Sequence, residues 1–304
     1  MLQKITKDIW MVSPPVKPRY PYGNCLYING DAPILVDTGA GSIALADIKP
    51  REVSRVLITH SHIDHTHSTI LFPQADIMIG SQEEPFYHDY QAFMEHNHFR
   101  LWSDVLRLAK IVGFSNSTPA FGDVPIMDEF RHQPLSGTFK DLDSWESGSL
   151  KVIALHLPGH TAGHHGFYVE KEGLLMSGDI DLVNTGPWLG SNTADIDDLI
   201  YSVQRIKEIG PRIIVPSHRR IQDENLKRHL DAFIGVVLKR QERLVEILRV
   251  PHSLEELLPY CLVYPEPRAE YEVDWERTTL RHHLDFSMRH GLVAEVTPGI
   301  YQRV

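Results

Sequence analysis

Seven side chains in four short segments of this chain have the residue types that bind metal ions. The segments are T-H-S-H-I-D-H at 59–65, L-P-G-H at 157–160, S-G-D at 177–179 and V-P-S-H at 215–218. Neutral imidazole suits zinc and iron, and carboxylate oxygens fill or bridge the remaining coordination positions. The candidate metal ligands are His60, His62, Asp64, His65, His160, Asp179 and His218.

Each of these segments directly follows an apolar run that is typical of a short buried strand. The runs are residues 53–58, 152–157, 173–176 and 212–215. Residues at the ends of neighbouring strands in one sheet converge on a single rim. We therefore expect the five imidazoles and two carboxylates to meet there and to form a site for two divalent cations.

A purely structural role for these histidines is the alternative. The chain contains 18 histidines, so some clustering arises by chance, and His218 taken singly fits either interpretation. Three histidines and an aspartate within residues 60–65 are harder to explain without a metal. Protonated together, these histidines would repel each other unless a cation or a specific hydrogen bond replaced the protons. The pattern favours the metal site.

The full set of motifs resembles the metallo-β-lactamase superfamily. The likeness lies in H-x-H-x-D-H at 60–65, in the order of the later histidine, aspartate and histidine, and in residues 24–41, which resemble the family's first hairpin and Asp-Thr-Gly turn. It covers roughly residues 1–220 and implies an α+β fold, a four-layer αββα sandwich. It also implies a ligand assignment: one metal on His60, His62 and His160, a second on Asp64, His65 and His218, and Asp179 as the bridge.

Such a pair of metals implies hydrolytic chemistry. Two cations about 3.5–4 Å apart share a water, lower its pKa to about 7 and polarise the oxygen of the bond under attack. Asp64 would then be both a ligand and the catalytic proton acceptor. The sequence contains no G-x-S-x-G elbow, and Cys25 and Cys261 lack a catalytic setting. Zinc is the default metal, with iron or manganese as alternatives.

Composition narrows the class of protein. The 304 residues are 42% hydrophobic and 23% charged, which is ordinary for a globular enzyme. A net charge of −10 argues against a general nucleic-acid surface, and we expect a small-molecule substrate. Two distant cysteines indicate a reducing cytoplasm. We find no secretion signal and no apolar run of membrane length, so we expect no membrane association.

The chain divides into two predicted domains. Residues 1–220 form the catalytic domain, into which residues 81–135 insert as a helical cap with helices at 83–97 and 99–112. Residues 221–304 form a mostly helical domain: a long helix, a short helix from 253, a helix over 274–289 and a hairpin over 292–304. This order is similar to a winged-helix unit, and a similar module occurs in the lactamase-β-like relatives, some of which act on RNA.

The role of this second domain stays open between two interpretations. A basic face on the helix over 274–289 could grip nucleic acid, or the domain could close one wall of the active site or form a homodimer interface. The acidic chain favours the second interpretation. The basic face comprises Arg277, Arg281, His282, His283 and Arg289.

Several residues near the predicted rim are candidate substrate contacts. The proline-rich loop over 14–23 and the segment over 181–190 can overhang the metals, and the two arginines after His218 can hold an anionic group. A stiff solvent-exposed loop is the alternative for the first of these segments. The candidates are Arg19, Tyr20, Tyr22, Asp181, Asn184, Trp188, Arg219 and Arg220.

Three functions remain as hypotheses. The favoured one is hydrolysis of a small ester-like bond, a thioester or a lactone. Acyl-homoserine lactone lactonases carry a tyrosine soon after the bridging aspartate, which this chain lacks after Asp179. The second is a nuclease or phosphodiesterase acting on single-stranded RNA or DNA. The third is an inactive metal-binding regulatory module, against which the complete ligand set argues.

Overall fold

Two sheets packed face to face form the centre of the molecule. The computed structural model describes residues 1–100, 103, 105, 123, 130, 134–267 and 270–304. In this part of the chain the strands are β1 Leu2–Lys4, β2 Ile9–Val12, β3 Cys25–Ile28, β4 Ile34–Val36, β5 Arg55–Ile58, β6 Asp76–Gly80, β7 Gly137–Phe139, β8 Ser144–Ser147, β9 Leu150–His156, β10 His165–Val169, β11 Leu174–Gly178, β12 Ile213–Pro216, β13 His252–Ser253, β14 Val293–Thr297 and β15 Ile300–Arg303.

Helices cover the outer faces of these sheets. Short 3-10 turns accompany them at Ala46–Ile48, Pro50–Glu52, Thr69–Leu71, Glu170–Glu172 and Leu258–Tyr260. The α-helices of the described residues are α1 Ser42–Leu45, α2 Ile63–Thr66, α3 Glu84–His88, α4 Tyr90–His96, α5 Ile196–Ile209, α6 Leu226–Ile247, α7 Leu254–Leu257 and α8 Glu270–Arg289.

The sheets and helices stack in four layers. Within the described residues, β1 to β7 form one sheet in chain order and β12-β11-β10-β9-β8 form the second. Leu26 and Leu57 of the first sheet pack against Phe167 and Met176 of the second in a buried core between the sheets. Separate apolar clusters join the outer face of the first sheet to α1 and that of the second to α5 and α6. The predicted α+β sandwich is confirmed.

Strong local signals placed α5 correctly. Asp195 caps the helix by accepting a hydrogen bond from the Asp198 amide at 3.1 Å, and Gly210 ends it in the left-handed conformation. Leu199, Val203 and Ile206, at three- and four-residue steps, lie buried against the second sheet. These are the positions that the sequence pattern predicts.

The predicted cap helix over 83–97 is wrong in detail. Two short helices, α3 and α4, replace it because Asp89 adopts an extended backbone conformation. Its side chain accepts a hydrogen bond from the Ala92 amide at 3.0 Å and so caps α4. The predicted helix over 99–112 and the loop after it lie largely outside the described residues.

The C-terminal region contains the predicted order of helices and hairpin. A long α6 is followed by α7, which begins with a reciprocal Ser253–Glu256 capping box, and by α8. Helix α8 already includes Glu270, four residues before the predicted start at Asp274. In the described part of the chain, β13, β15 and β14 form a third, small sheet. The winged-helix likeness and the domain boundary at residue 220 stay predictions.

Candidate metal centre

The candidate ligands follow the carboxyl ends of four strands, as the sequence predicts. His60 and His62 come after β5, and His160, Asp179 and His218 come after β9, β11 and β12. Strands β11 and β12 run parallel, and β9 has the same direction because both β9 and β11 are antiparallel to β10. The loops after β9, β11 and β12 therefore open at one edge of the second sheet. Contacts of His160 with His60 and His62 bring the loop after β5, in the first sheet, to the same edge.

Three imidazole nitrogens converge in what we call the three-histidine cluster. His60 Nε2 lies 2.9 Å from His62 Nδ1, and His160 Nε2 lies 3.2 Å and 3.1 Å from these two atoms. The three side chains are buried. A single proton can satisfy only one nitrogen pair of such a triangle, whereas one cation satisfies all three lone pairs.

A second group of side chains, the Asp64 cluster, lies beside the first. It comprises Asp64, His65 and His218. His218 Nε2 lies 3.3 Å from one Asp64 oxygen, and His65 Nε2 lies 3.9 Å from the other. Two imidazoles and a carboxylate form a donor set that suits a divalent cation.

Asp179 faces both clusters. Its Oδ1 lies 3.1 Å from His65 Nε2 and 3.3 Å from His218 Nε2, while its Oδ2 lies 3.4 Å from His160 Nε2. This is the arrangement that a carboxylate bridging two cations requires.

The donor atoms themselves show that a cation fits. His65 Nε2 and Asp179 Oδ1 are buried, and neither makes a hydrogen bond of good geometry with any described residue. Metal coordination would satisfy both atoms.

The histidine pKa values shift in opposite directions in the two clusters. Burial lowers the pKa of His60, His62 and His160, so these imidazoles are neutral and ready to bind metal. Burial also acts to lower the pKa of His65 and His218, but nearby carboxylates, Asp179 first, outweigh it and raise both values well above the ordinary range.

The carboxylates of the site respond to the same charges. Burial alone would raise the pKa of Asp64, yet His65 and His218 lower it to about 2. Asp179 behaves in the same way, because His218, His65 and His160 hold its pKa well below the usual range. Both groups are therefore ionised at neutral pH.

Groups outside the clusters fix the orientation of two ligands. Asp37 Oδ2 lies 2.8 Å from His65 Nδ1, and Asp37 in turn accepts hydrogen bonds from the Thr59 amide at 2.8 Å and the Thr59 hydroxyl at 2.9 Å. His160 Nδ1 donates to the Trp188 carbonyl at 2.9 Å. Such partners set which imidazole nitrogen is free to bind metal.

His164 lies close to the ligands but has another role. Its Nδ1 donates to the Leu157 carbonyl at 2.9 Å, and its Nε2 accepts from the Asp179 amide at 3.0 Å. Both ring nitrogens are used, so His164 positions the backbone of Asp179 and has no lone pair left for a metal.

Glu83 is a residue whose role sequence reasoning missed, because its pattern indicated only the start of a helix. The side chain is fully buried. Its carboxylate accepts hydrogen bonds from the Ser61 amide at 2.9 Å, the Thr161 hydroxyl at 2.6 Å and the Gly163 amide at 3.2 Å. Glu83 thereby ties together the two loops that carry the three-histidine cluster.

A cavity of about 360 Å³ opens above the ligands. Four of the predicted substrate contacts line it: Arg19, Tyr20, Asp181 and Trp188. Burial, and then the neighbouring Asp179, raises the pKa of Asp181 to about 7.

The other four predicted contacts do not line this cavity. Tyr22 is fully buried and donates a hydrogen bond to Asp123 at 3.1 Å. Asn184 and Arg220 point to solvent. The Arg219 guanidinium bonds the Leu182 carbonyl, so it supports the loop rather than the cavity.

The C-terminal region supplies a wall of the cavity. Tyr264, Glu272 and Trp275 line it from this side, and Phe93 and Phe99 line it from the cap region. Sequence reasoning proposed the wall as one role of this region but named none of these residues. The aromatic character of all of them except Glu272 was the available signal, yet aromatic residues mark most protein cores equally well.

Comparison with known proteins identifies the family. The family model described as the metallo-beta-lactamase superfamily matches residues 19–218. A probable metallo-hydrolase of Bacillus subtilis, YqjP, is 24% identical over 217 residues, and the match covers 63% of this chain and 65% of that protein. A beta-lactamase-like protein 2 homolog of Caenorhabditis elegans is 31% identical over 107 residues, 34% of this chain and 33% of that protein. The matches thus span less than two thirds of either relative.

A solved structure has the same fold over the whole chain. A metallo-beta-lactamase family protein of Thermus thermophilus superposes with a TM-score of 0.73 at 22% identity. The match covers 99% of this chain and 100% of that one, so the C-terminal region is included.

Proposed function

The chain belongs to the metallo-beta-lactamase superfamily, and from this membership we propose that it is a metal-dependent hydrolase of a small ester-like substrate, a thioester or a lactone. The observation that carries this proposal is the position of Asp179, whose two oxygens face two separate donor sets 3.1–3.4 Å away. We propose zinc as the metal, since imidazole predominates among the donors.

The bound cations would supply Lewis acidity, which activates a water molecule and polarises the substrate carbonyl. His60, His62 and His160 would hold one cation and Asp64, His65 and His218 the other, and Asp179 faces both groups. Asp64 also lines the cavity, where it can accept a proton from the attacking water. Because most of the candidate ligands are buried, these electrostatic interactions are stronger than they would be in water.

Charge pairing in the C-terminal region weighs against a nuclease. Arg277 forms ion pairs with Glu255 and Asp274, and Arg289 pairs with Asp195 and Asp197. Guanidinium groups that already have carboxylate partners add little attraction for phosphates. This favours the small-molecule substrate.

The alternatives rest on weaker ground. A regulatory module without turnover fits poorly, because all seven candidate ligands converge. Within the described residues, none of the helices combines the length and apolar character that a membrane span requires. The cytoplasmic location and the homodimer stay predictions.

Hydrolysis can be tested with protein purified without chelator and assayed on thioesters, lactones, phosphodiesters and short RNAs. We expect turnover of an ester-like compound, and we expect Asp64→Ala and His160→Ala to lower it by about 10³-fold or more while the fold survives. His88→Ala is the matched control, since His88 is exposed on α3. Near-wild-type activity in either ligand variant would refute the mechanism.

A further inference from the structure

We infer that the cavity selects substrates with a bulky apolar acyl group, such as an arylalkanoyl group, and that Trp188 and Trp275 form the surface that holds it. This inference rests on the proposed ester hydrolysis and specifies its substrate class.

The apolar surface begins directly against the metal ligands. The Trp188 ring lies 5.3 Å from the His62 ring at an interplanar angle of 82°, and 5.7 Å from the His160 ring. Any group attached to a carbon undergoing attack at the metals lies within a few bonds of this indole. That group is the acyl substituent.

Trp275 of α8 extends the surface away from the metals. Its ring lies 5.2 Å from Trp188 at 89° and 5.8 Å from Phe99 at 78°. The indole N–H donates to the Asn97 carbonyl at 2.9 Å, which satisfies the one polar atom of the side chain and fixes the ring. Trp275 therefore offers the cavity a rigid carbon surface.

An apolar group fits this surface better than a cationic one. Aromatic rings beside the carboxylate of Glu272 could also attract a cation. Two divalent cations bound at the ligand clusters would repel such a cation, however, whereas a neutral ring carries no charge for them to repel.

The volume of the cavity limits the acyl group to about the size of one aromatic ring with a short linker. A volume of about 360 Å³ lies at the lower end of the range for small-molecule sites, about 300–1,000 Å³. Arg19, which also lines the cavity, is exposed to solvent, so a larger polar leaving group can extend past it.

Two readouts on the zinc-loaded, full-length protein test this inference separately from turnover. The first compares the affinities of the protein for phenylacetate and for acetate, with tryptophan fluorescence as the signal. The second is kcat/KM for phenylacetyl and acetyl thioesters that share N-acetylcysteamine as the leaving group. We expect phenylacetate to bind at least tenfold more tightly, and kcat/KM for the phenylacetyl thioester to be higher by about 100-fold, because an extra buried ring adds apolar area.

Variants locate the effect. Trp275→Leu should lower the phenylacetyl-to-acetyl ratio by about tenfold, and Trp275→Phe, which keeps a ring, by less. Trp10→Phe is the control, since Trp10 lies on β2 and packs against Tyr27. Thermal unfolding checks that each variant is folded. The phenylacetyl-to-acetyl ratios of the wild-type protein test the inference even if a variant fails to fold.

The outcomes distinguish the two claims. Equal binding of both acids, or an acetyl thioester cleaved as fast as the phenylacetyl one, overturns the apolar site even if esters are hydrolysed. Tight phenylacetate binding with no hydrolysis of any ester would overturn the proposed function and leave the apolar site standing.

Discussion

Asp179 and His65 show how single residues make this site suited to two cations. Asp179 presents one oxygen to each donor set, and His65 connects the Asp64 cluster to the buried Asp37 behind it. Because Asp37 holds His65 Nδ1, the other ring nitrogen faces the site. The second cation should therefore depend on Asp37 more than the first does.

Replacing Asp37 by Asn tests this dependence. Asn keeps the side-chain shape and tolerates the backbone of this residue, whose φ is 60°. It removes the charge that supports His65, so we expect the affinity for the second cation to fall by about 10–100-fold. Competition with a chromophoric chelator measures this affinity. Asp31→Asn, at an exposed position, should leave it unchanged, and equal zinc affinity in Asp37→Asn would contradict the role.

Protonation of the ligands predicts a pH dependence of metal binding. The pKa values of His65 and His218 are raised, so both hold protons at neutral pH, whereas those of the three-histidine cluster are lowered. The second cation must displace the protons of His65 and His218, and its affinity should fall as the pH falls.

Calorimetry in buffers of different ionisation enthalpy counts these protons. At neutral pH we expect the first cation to bind with little proton release and the second to release about two protons. Proton release tied to the first cation, or none with the second, would show that the assignment of charge is wrong.

At this scale the sequence predicted which side chains converge at the strand ends better than which side chains line the cavity. His60, Asp179 and their partners directly follow apolar strands, so the strand ends place them. Tyr22 and Asn184 lie on loops, where burial and direction depend on packing against distant segments. For Tyr22 that segment includes Asp123, which is 101 residues away in the chain.

At the scale of elements, the site depends on loops that are held together from behind. Glu83, immediately before α3, accepts hydrogen bonds from the loop after β5 and from the loop after β9. The three-histidine cluster spans those two loops. Replacing this carboxylate should therefore loosen the link between the two loops and disturb the arrangement of the three histidines.

Glu83→Gln places an amide NH2 opposite groups that donate hydrogen bonds. We expect the free energy of unfolding of the metal-free protein to fall by about 2 kcal/mol. Urea denaturation measures this loss. Glu84→Gln is the control, because Glu84 is exposed and should change stability by less than about 0.5 kcal/mol. Equal stability of the two variants would exclude the role given to Glu83.

The sequence predicted the helices whose capping residues and apolar pattern agree. It did not predict a helix end that lies inside a continuous apolar pattern. Helix α5 begins after Asp195 and ends at Gly210, and α7 begins with the Ser253–Glu256 capping box, as these residue types predict. The break between α3 and α4 was missed, because apolar periodicity continues through Asp89. The hydrogen bond from the Ala92 amide to the Asp89 side chain shows that a local polar contact can end one helix and begin another within a continuous apolar pattern.

At the scale of the whole molecule, the C-terminal region meets the residues that follow α4 beside the cavity. Trp275 of α8 donates a hydrogen bond to the Asn97 carbonyl, 178 residues away, and Arg100 pairs with Glu270 and Asp274. The periodicity of α8 shows that one face is buried but not which partner covers it. The structure was therefore needed to show that this region lines the cavity.

Titration of metal-stripped protein with zinc, while ester hydrolysis and bound metal are measured together, tests the two-cation centre most directly. We predict no turnover in the stripped protein and activity that rises until two equivalents per chain are bound, as two donor sets sharing Asp179 imply. Full hydrolysis by the stripped protein, or saturation of the intact chain at one equivalent or fewer, would contradict the account.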